Sequence, residues 1–222
     1  MKVGILSDIH GNYPALKAVI DDLPQLDQII CCGDLVGYYP DVNEVCSLIR
    51  ELNIWVIRGN HDAYLTGAIR VPDKIPPIVN LKWTREVISN SNFDWLQSLP
   101  NEIQIIWDNK KITIRHASPW DEETYLYRDS SSLDKIDLKS GEILIVGHTH
   151  YPMYENVAKG FIINPGSVGQ PRDRNPLSSY AIYHTELEKI EFKRVDYPIE
   201  DFKRRLNDLG WSERLINKLE WS

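Results

Sequence analysis

Five short motifs of acidic, amide and imidazole side chains recur along this 222-residue chain, each directly after a short apolar run. Five of the six histidines lie in these motifs. Carboxylate oxygens and imidazole nitrogens on tight turns suit a divalent metal ion. One Asp-x-His pair alone would indicate only turn chemistry, so the prediction of a metal site depends on the repetition. The motifs are Asp8-x-His10, Gly33-Asp34, Gly59-Asn60-His61-Asp62, Arg115-His116 and Gly147-His148-Thr149-His150.

The apolar runs predict the strands that would carry the motifs. Residues 2–6, 28–32, 54–57 and 143–146 are nearly continuous runs rich in Ile and Val, as in strands buried on both faces. Helical spacing between the first three runs predicts two helices, the second starting with a capping box at Asp41. Alternating strands and helices form right-handed parallel crossovers, whose strands end at one ligand-binding edge of the sheet. The motifs are therefore predicted to converge there.

The rest of the chain predicts an insertion and several smaller elements. Segment 63–100 interrupts the strand-helix rhythm with prolines and two helical stretches, directly after the third motif. From that position it would be either a cap that meets the organic part of a substrate, or a packing or dimerisation element. The later predicted elements are a hairpin over 103–115, a polar loop segment at 117–140, an antiparallel meander of four strands between 152 and 195, and helices at 199–209 and 213–219.

Composition and charge exclude several classes of function. A net charge of -7 and an isoelectric point near 5.4 argue against binding to a nucleic-acid backbone, which needs a basic face. No run reaches the length of a membrane span or a signal-peptide core, so no membrane partner is expected. Cys31, Cys32 and Cys46 have no paired spacing and indicate buried free thiols in a reducing compartment. We therefore expect a cytoplasmic protein.

The five motifs, in this order, resemble those of the calcineurin-like metallophosphoesterases, and in particular their small bacterial and archaeal phosphodiesterase-like branch. The resemblance covers nearly the whole chain. It implies an α/β fold, a four-layer α/β/β/α sandwich in which two sheets are flanked by helices, and the predicted elements agree with it. The expected organisation is one domain over residues 1–222, with a helical insertion at about 63–100 and C-terminal helices at about 199–220.

The resemblance also implies two divalent metal ions at the motifs. Oxygen and nitrogen donors without a thiolate favour Mn, Fe, Zn, Co or Ni over a structural zinc cage. Two such ions, about 3.5–4 Å apart, clamp a phosphate and lower the pKa of a bridging water. The ligands implied for one ion are Asp8, His10, Asp34 and His150, and those for the other are Asp34, Asn60, His116 and His148, with Asp34 as the bridge.

His61 remains outside this ligand set. The equivalent histidine of the family lies beside the phosphate, so the resemblance implies that His61 assists the leaving group as general acid or charge stabiliser. In the protein-phosphatase branch an Asp three residues after the bridging Asp is present, whereas this chain has Gly37 there. Asp62 or Asp41 would have to orient His61 instead, which makes a protein phosphatase of that branch a poorer match.

Five further residues are candidates for substrate binding. Arg58 and Arg172 could bind phosphate oxygens in a bidentate manner, or could be solvated surface charges. Tyr38 follows a site motif, as do Tyr39 and Trp120, and these rings could stack on a base or simply pack.

Two other features have ordinary structural explanations. His184 lies outside every motif and is interpreted as structural. The turn at 164–167, with the sequence Asn-Pro-Gly-Ser, resembles a family turn near the site, and it could equally be a plain turn.

The predicted activity is hydrolysis of a phosphomonoester or phosphodiester, a small phosphate ester or nucleotide, by attack of a metal-bound hydroxide. The alternative in the same class is a nucleotidase or dinucleoside polyphosphate hydrolase. A non-catalytic scaffold is the alternative from another class, because the retromer scaffold subunit shares the fold. That scaffold departs from the family at metal-site positions, whereas every such position is filled here. The sequence leaves the natural substrate, the preferred metals and the formation of a homo-oligomer open.

Overall fold

The apolar runs before the first three motifs form the parallel part of a five-stranded sheet in the computed structural model, which describes residues 1–221. Strands β1 (Lys2–Leu6), β2 (Gln28–Cys31) and β3 (Trp55–Val56) pair in parallel. Two later strands, β9 (Ser178–His184) and β10 (Lys189–Val195), add to the other edge in antiparallel orientation. The strand order of this first sheet is β10-β9-β1-β2-β3.

The second sheet contains the other five strands in the order β4-β5-β6-β8-β7. Its first two strands form the predicted hairpin, whose turn at Asp108 and Asn109 has φ values of 46° and 63°. Two consecutive left-handed residues suit a tight hairpin turn, and Asp and Asn tolerate this conformation. The strands are β4 (Glu102–Trp107), β5 (Lys110–Arg115), β6 (Glu142–Ile145), β7 (Pro152–Val157) and β8 (Gly160–Pro165).

The predicted four-stranded meander is wrong. Strands β7 and β8 form a hairpin in the second sheet, whereas β9 and β10 form a hairpin in the first. The chain crosses between the sheets over residues 166–177. Alternating strands and turns have the same local pattern in both arrangements, so only packing of the strands decides which sheet they join.

Three hydrophobic clusters build the layers. Val3, Ile5 and Ile30 of the first sheet pack against Ile112 and Ile143 of the second, which makes the core between the sheets. The outer face of the first sheet packs on helices α1, α2, α5, α6 and α7, and the outer face of the second sheet packs on segment 117–141. The predicted α/β fold, a four-layer α/β/β/α sandwich, is confirmed. The helices are α1 (Tyr13–Asp22), α2 (Val42–Glu51), α3 (Asn60–Thr66), α4 (Leu81–Val87), α5 (Asn90–Ser98), α6 (Ile199–Asp208), α7 (Glu213–Ile216) and α8 (Lys218–Trp221), with 3-10 turns at Pro77–Val79 and Leu133–Lys135.

The cysteines behave as their positions in the sequence predict. Cys31 and Cys32 are buried, free, and on opposite faces of the first sheet, because successive strand residues alternate. Cys46 is also buried and free in α2. No helix within residues 1–221 is both long enough and apolar enough to cross a bilayer. Ser222, the last residue of the predicted domain, lies outside the described residues.

The predicted capping box of α2 is absent. Asp41 is the N-cap residue, yet its side chain makes no capping hydrogen bond. Its carboxylate instead accepts a hydrogen bond from the Arg205 guanidinium of α6. A charge-assisted bond is stronger than a bond to a neutral backbone N–H, so the tertiary contact is preferred.

The insertion packs on α2 and on the C-terminal helices. Asn92 in α5 donates from Nδ2 to Asn43 Oδ1 of α2 over 3.0 Å. Trp83 in α4 meets the Trp211 ring edge to face, with ring centroids 4.8 Å apart. Leu96 of the insertion, in α5, is fully buried in the hydrophobic cluster on the outer face of the first sheet. These contacts show that the segment packs on the rest of the fold, and its role as a cap stays a prediction.

Candidate metal centre

The candidate ligands lie on loops or helix starts that follow β1, β2, β3, β5 and β6. The first two loops are joined by backbone bonds: Asp8 N donates to Gly33 O (3.0 Å), and Ile9 N and His10 N both donate to Asp34 O (2.9 and 3.0 Å). Five of the seven candidate ligands have left-handed backbone, with φ of 54–66°. Such residues cost about 1–3 kcal/mol each and cluster at functional sites. They are Asp8, His10, Asp34, His148 and His150.

One group of metal-donor atoms comes from Asp8, His10 and His150. The Nε2 atoms of the two histidines lie 3.2 Å apart. Asp8 Oδ1 lies 3.2 Å from His150 Nε2 and 3.9 Å from His10 Nε2. All three side chains are buried. This set is the one that the sequence assigned to the first ion, apart from the shared Asp34.

A second group comes from Asp34, Asn60, His116 and His148. His116 Nε2 lies 3.3 Å from Asp34 Oδ2 and 3.0 Å from Asn60 Oδ1. A nitrogen of His148 lies within 4.8 Å of the Asp34 and His116 donors. The seven predicted ligands are thus brought together from five separate loops.

Asp34 belongs to both groups through a single oxygen. Its Oδ2 lies 3.6 Å from His10 Nε2 and 3.3 Å from His116 Nε2. Its Oδ1 accepts a hydrogen bond from His61 N (2.9 Å), which fixes the carboxylate. A Cβ on Gly59 would overlap this carboxylate, so glycine there permits the start of α3 to approach Asp34.

The tautomers of the four candidate histidine ligands are set by backbone carbonyls. Each histidine places one ring nitrogen on a carbonyl oxygen, which can only accept, so that nitrogen carries the proton. The other nitrogen is left with a lone pair for a metal. The four bonds are His10 Nδ1 to Val36 O (3.0 Å), His116 Nδ1 to Cys32 O (2.6 Å), His150 Nδ1 to Gln170 O (2.5 Å) and His148 Nε2 to Glu123 O (3.0 Å).

The donor spacing fits metal coordination. Donors bound to one ion at about 2.1 Å are about 3.0 Å apart in octahedral and about 3.4 Å apart in tetrahedral geometry. The closest donor pairs in the two groups are separated by 3.0–3.3 Å. Asp8 Oδ1 is buried and has no hydrogen-bond partner among residues 1–221. Without a cation, this oxygen and the facing lone pairs of His10 and His150 would be uncompensated.

The protonation of the histidines also suits metal binding. Burial lowers the pKa of His148 to about 3 and holds the pKa values of His10 and His150 below the ordinary value. Only the neutral imidazole binds a metal, so these three are ready as ligands at neutral pH. Burial opposes a charge on His116 too, but the neighbouring Asp34 carboxylate raises its pKa to about 10. A proton and a metal ion therefore compete for His116 Nε2.

His61, Tyr38 and Arg172 lie around the donors. His61 Nε2 is 3.9 Å from Asp34 Oδ2, and burial lowers the pKa of His61 to about 4. The Tyr38 ring lies 4.8 Å from the ring of His10 and 5.1 Å from that of His61. Arg172 Nη2 donates to Tyr38 Oη over 3.4 Å, and Arg172 Nε is buried without a partner among the residues that the structure describes. His61 is close enough to Asp34 to act as a ligand or as a catalytic group.

Asp62 does not orient His61 in this structure. His61 Nδ1 is buried and finds no hydrogen-bond partner within the described part of the chain. The Asp62 carboxylate accepts hydrogen bonds from four backbone N–H groups, which occupy all of its acceptor positions. These bonds join the loop after β2 to the start of α3. The donors to its carboxylate are Asp34 N (2.9 Å), Leu35 N (3.0 Å), Val36 N (3.2 Å) and Gly59 N (2.9 Å).

Asp41, the other suggested partner, does not orient His61 either, because its carboxylate binds Arg205. The surroundings of Gly37 explain why this position carries no carboxylate that could orient His61. A Cβ at residue 37 would come within 2.5 Å of His61 Nδ1, and the residue has a φ of 86°. The His61 ring therefore occupies the space that a side chain at position 37 would need.

The remaining predicted residues have supporting or separate positions. Arg58 Nη2 lies 3.8 Å from Glu122 Oε1, and its N donates to Pro100 O over 2.7 Å, so its role in phosphate binding remains a prediction. His184 Nε2 lies 3.2 Å from Glu191 Oε1, away from both donor groups.

The turn at 164–167 supports the loops that carry ligands. Asn164 Nδ2 donates to Gly147 O (2.6 Å) and to Thr149 Oγ1 (3.0 Å) on the loop of the last motif. Ser167 Oγ donates to Asp8 O over 2.7 Å. The turn thus positions two ligand loops.

Sequence reasoning missed the residues around His148. Glu123 fixes the His148 tautomer through its carbonyl, and the Tyr125 ring stacks on the His148 ring. Tyr127 and Tyr151 follow in the same cluster of rings. A backbone carbonyl has no residue-type signal in the sequence. The aromatic residues could have been noticed, because Tyr151 directly follows His150, just as Tyr38 follows the Gly33-Asp34 motif at short range.

Comparison with known proteins agrees with this geometry. Residues 1–188 match the calcineurin-like phosphoesterase superfamily domain. An uncharacterized protein of Methanocaldococcus jannaschii is 37% identical over 217 residues, covering 89% of this chain and 88% of that protein. The crystal structure of a metallophosphoesterase from Sphaerobacter thermophilus superposes with a TM-score of 0.82 at 32% identity, covering 99% of this chain and 98% of the other. A symmetrical bis(5'-nucleosyl)-tetraphosphatase of Erwinia tasmaniensis is 27% identical over 181 residues, covering 75% of this chain and 60% of that protein.

The chain belongs to the calcineurin-like phosphoesterase family. It is a metal-dependent phosphoric ester hydrolase that uses two divalent metal ions, as the motifs predicted. The donor groups around Asp34 are the part of the structure that suits such a pair.

Proposed function

We propose that Asp8, His10, Asp34 and His150 hold one ion and that Asp34, Asn60, His116 and His148 hold the other. The observation that carries this assignment is the position of Asp34 Oδ2, 3.6 Å from His10 Nε2 and 3.3 Å from His116 Nε2. A carboxylate oxygen between two sets of imidazole nitrogen donors is suited to bridge two cations. When bound, the ion pair polarises a phosphoryl oxygen and activates a water as nucleophile.

The chain's own residues then position the ester. Arg172 offers its buried Nε, which has no other partner, to a phosphate oxygen. Tyr38 holds the Arg172 guanidinium through its hydroxyl and packs its ring against His61. His61, 3.9 Å from Asp34 Oδ2 and neutral at pH 7, donates an N–H to the phosphoryl or leaving oxygen as charge stabiliser, and it acts as general acid once the anionic phosphate raises its pKa.

Among substrates, we propose a small phosphomonoester or phosphodiester, with a nucleotide or dinucleoside polyphosphate as the alternative. The tetraphosphatase of Erwinia tasmaniensis supports that alternative by its name, at 27% identity. The scaffold alternative is less well supported, because all seven ligand positions are filled and their donor atoms converge.

We further infer a cytoplasmic location, on the three buried free cysteines, and manganese as one of the metals that the donors accept. A homo-oligomer is not required for the activity, since one chain supplies every proposed ligand.

The test is hydrolysis of bis-p-nitrophenyl phosphate and p-nitrophenyl phosphate after reconstitution of metal-stripped protein with Mn, Fe, Zn, Co or Ni. We expect turnover only with metal, and its loss in Asp34→Asn. His184→Ala removes the one histidine outside the motifs and is the matched control, which should keep full activity. Equal turnover by Asp34→Asn and His184→Ala would contradict the assignment.

A further inference from the structure

We propose that Tyr125, Tyr127 and Tyr151 form an aromatic shelf that binds the nucleobase of a nucleotide-type substrate. This inference rests on the proposed function, because it places the organic part of the ester beside the phosphate held by the metals. The shelf lies on the polar loop segment after His116 and on the residue after His150, not on the helical insertion.

The shelf begins at the metal centre. The Tyr125 ring stacks on the ring of His148, with centroids 3.9 Å apart and an interplanar angle of 25°. The Tyr127 ring is parallel to Tyr125 within 4°, at 5.5 Å, and Tyr151 meets Tyr127 edge to face at 5.8 Å. The rings therefore lead outward from a candidate ligand in one continuous series. A phosphate at the metals would have its attached group next to this series.

The shelf rings are exposed although they are clustered. Tyr125, Tyr127 and Tyr151 are 41%, 42% and 40% exposed, whereas Tyr38 and Tyr39 near the same site are buried. Contiguous exposed aromatic surface is a feature of binding sites. Every nucleobase has a flat π-face, so a shelf of tyrosines can stack on any base, whatever its pattern of hydrogen-bond donors and acceptors.

A cation lies close to both the shelf and the metal donors. Arg172 donates from Nη2 to Tyr38 Oη and to Gln170 Oε1 (3.2 Å), and its Nε remains unpaired. Arg172 lies close to both Tyr38 and Tyr125, and its guanidinium is charged at neutral pH. An aromatic surface next to a guanidinium and a metal site matches the base and the phosphate of a nucleotide. A protein partner would need the aromatic surface but not the adjacent phosphate-binding groups.

The test compares two ligands that differ only in the base. They are the phosphonate analogue of adenosine 5'-monophosphate, in which a methylene replaces the bridging oxygen, and the matching analogue of ribose 5-phosphate. Calorimetric titration of the Mn-loaded protein gives both dissociation constants without turnover. Stacking of one base predicts about 5- to 150-fold tighter binding of the adenosine analogue. Tyr127→Ala should reduce that preference to less than about 3-fold, and Tyr127→Phe should keep it.

The matched control is Phe192→Ala, which removes an aromatic ring that is 39% exposed on β10, outside the shelf. This variant should keep the preference for the adenosine analogue. Tyr151→Ala provides a second shelf variant if Tyr127→Ala folds poorly. Equal affinity for both analogues in the unmodified protein, or a preference that survives both shelf variants, would overturn the proposal. Because no hydrolysis is measured, a failure of the proposed hydrolase function would appear in its own assay and not here.

Discussion

The Nε2 atoms of His10 and His150 face each other at 3.2 Å, while the Nδ1 atom of each ring donates to a backbone carbonyl. Neither facing nitrogen carries a proton, so the pair is repulsive unless a cation binds between or beside them. We therefore expect metal binding to stabilise the fold as well as to support catalysis.

Chelation should lower the thermal midpoint of unfolding. A metal at one hundred times its dissociation constant contributes about 2.7 kcal/mol, which for a chain of this size is about 5–10 °C. Differential scanning calorimetry with Mn and with excess chelator measures this shift. His184→Ala should show the same shift, because that residue lies outside the donor groups. An identical midpoint with and without metal would contradict the expectation.

Asp62→Asn should destabilise the protein. An amide has one acceptor atom where the carboxylate has two, so some of the four N–H donors from residues 34–36 and 59 would face an NH2 group. The expected loss is about 2–4 kcal/mol in the free energy of unfolding by denaturant with chelator present. Asp94→Asn, on the exposed side of α5, should change it by less than about 0.5 kcal/mol. A stable Asp62→Asn protein that binds metal but has no activity would instead give Asp62 a direct catalytic role.

His61→Ala should keep both ions and lose turnover. General acid catalysis contributes about 100- to 10,000-fold, and the loss should be largest for substrates with poor leaving groups, which depend most on protonation. A series of aryl phosphate esters with graded leaving-group pKa measures this dependence. Loss of a metal ion in this variant would make His61 a ligand, which its 3.9 Å distance to Asp34 Oδ2 also permits.

Trp83→Ala should affect stability and not substrate choice. The Trp83 ring packs on Trp211 and the insertion contacts α2, so the substitution removes an aromatic pair worth about 0.5–1.5 kcal/mol. The ranking of phosphate esters by kcat/KM should match that of the unmodified protein. Tyr127→Ala should do the opposite, changing the ranking with little loss of stability. A changed ranking in Trp83→Ala would restore the cap interpretation of the insertion.

Much of the fold was predictable because local pattern and tertiary environment agree. The β1 strand lies at residues 2–6 as predicted, because a short apolar run is typical of a strand buried on both faces. Cys31 and Cys32 lie on opposite faces of the sheet, as strand geometry requires. The strands after residue 150 were misassigned, because their pattern is the same in either sheet. Asp41 is the N-cap residue of α2, but its capping hydrogen bond was predicted wrongly because the partner of its carboxylate, Arg205, is 164 residues away.

For the candidate site, residue types and order predicted which side chains converge, but not how they are held. The Asp62 carboxylate serves backbone N–H groups, and His148 is oriented by the Glu123 carbonyl, neither of which a side-chain motif can reveal. The shelf was missed because Tyr125 and Tyr127 lie in a segment without regular periodicity, where only the fold brings them to His148.

The central claim, a two-ion centre bridged by Asp34, is tested most directly by counting metal ions in four proteins. Inductively coupled plasma mass spectrometry after Mn reconstitution should find about two ions per chain in the unmodified protein and in His184→Ala. His150→Ala, which lacks a ligand of one proposed ion only, should retain about one. Asp34→Asn, which weakens both proposed sites at once, should retain fewer than one. Two ions in Asp34→Asn, or equal metal content in Asp34→Asn and His150→Ala, would contradict the bridging assignment.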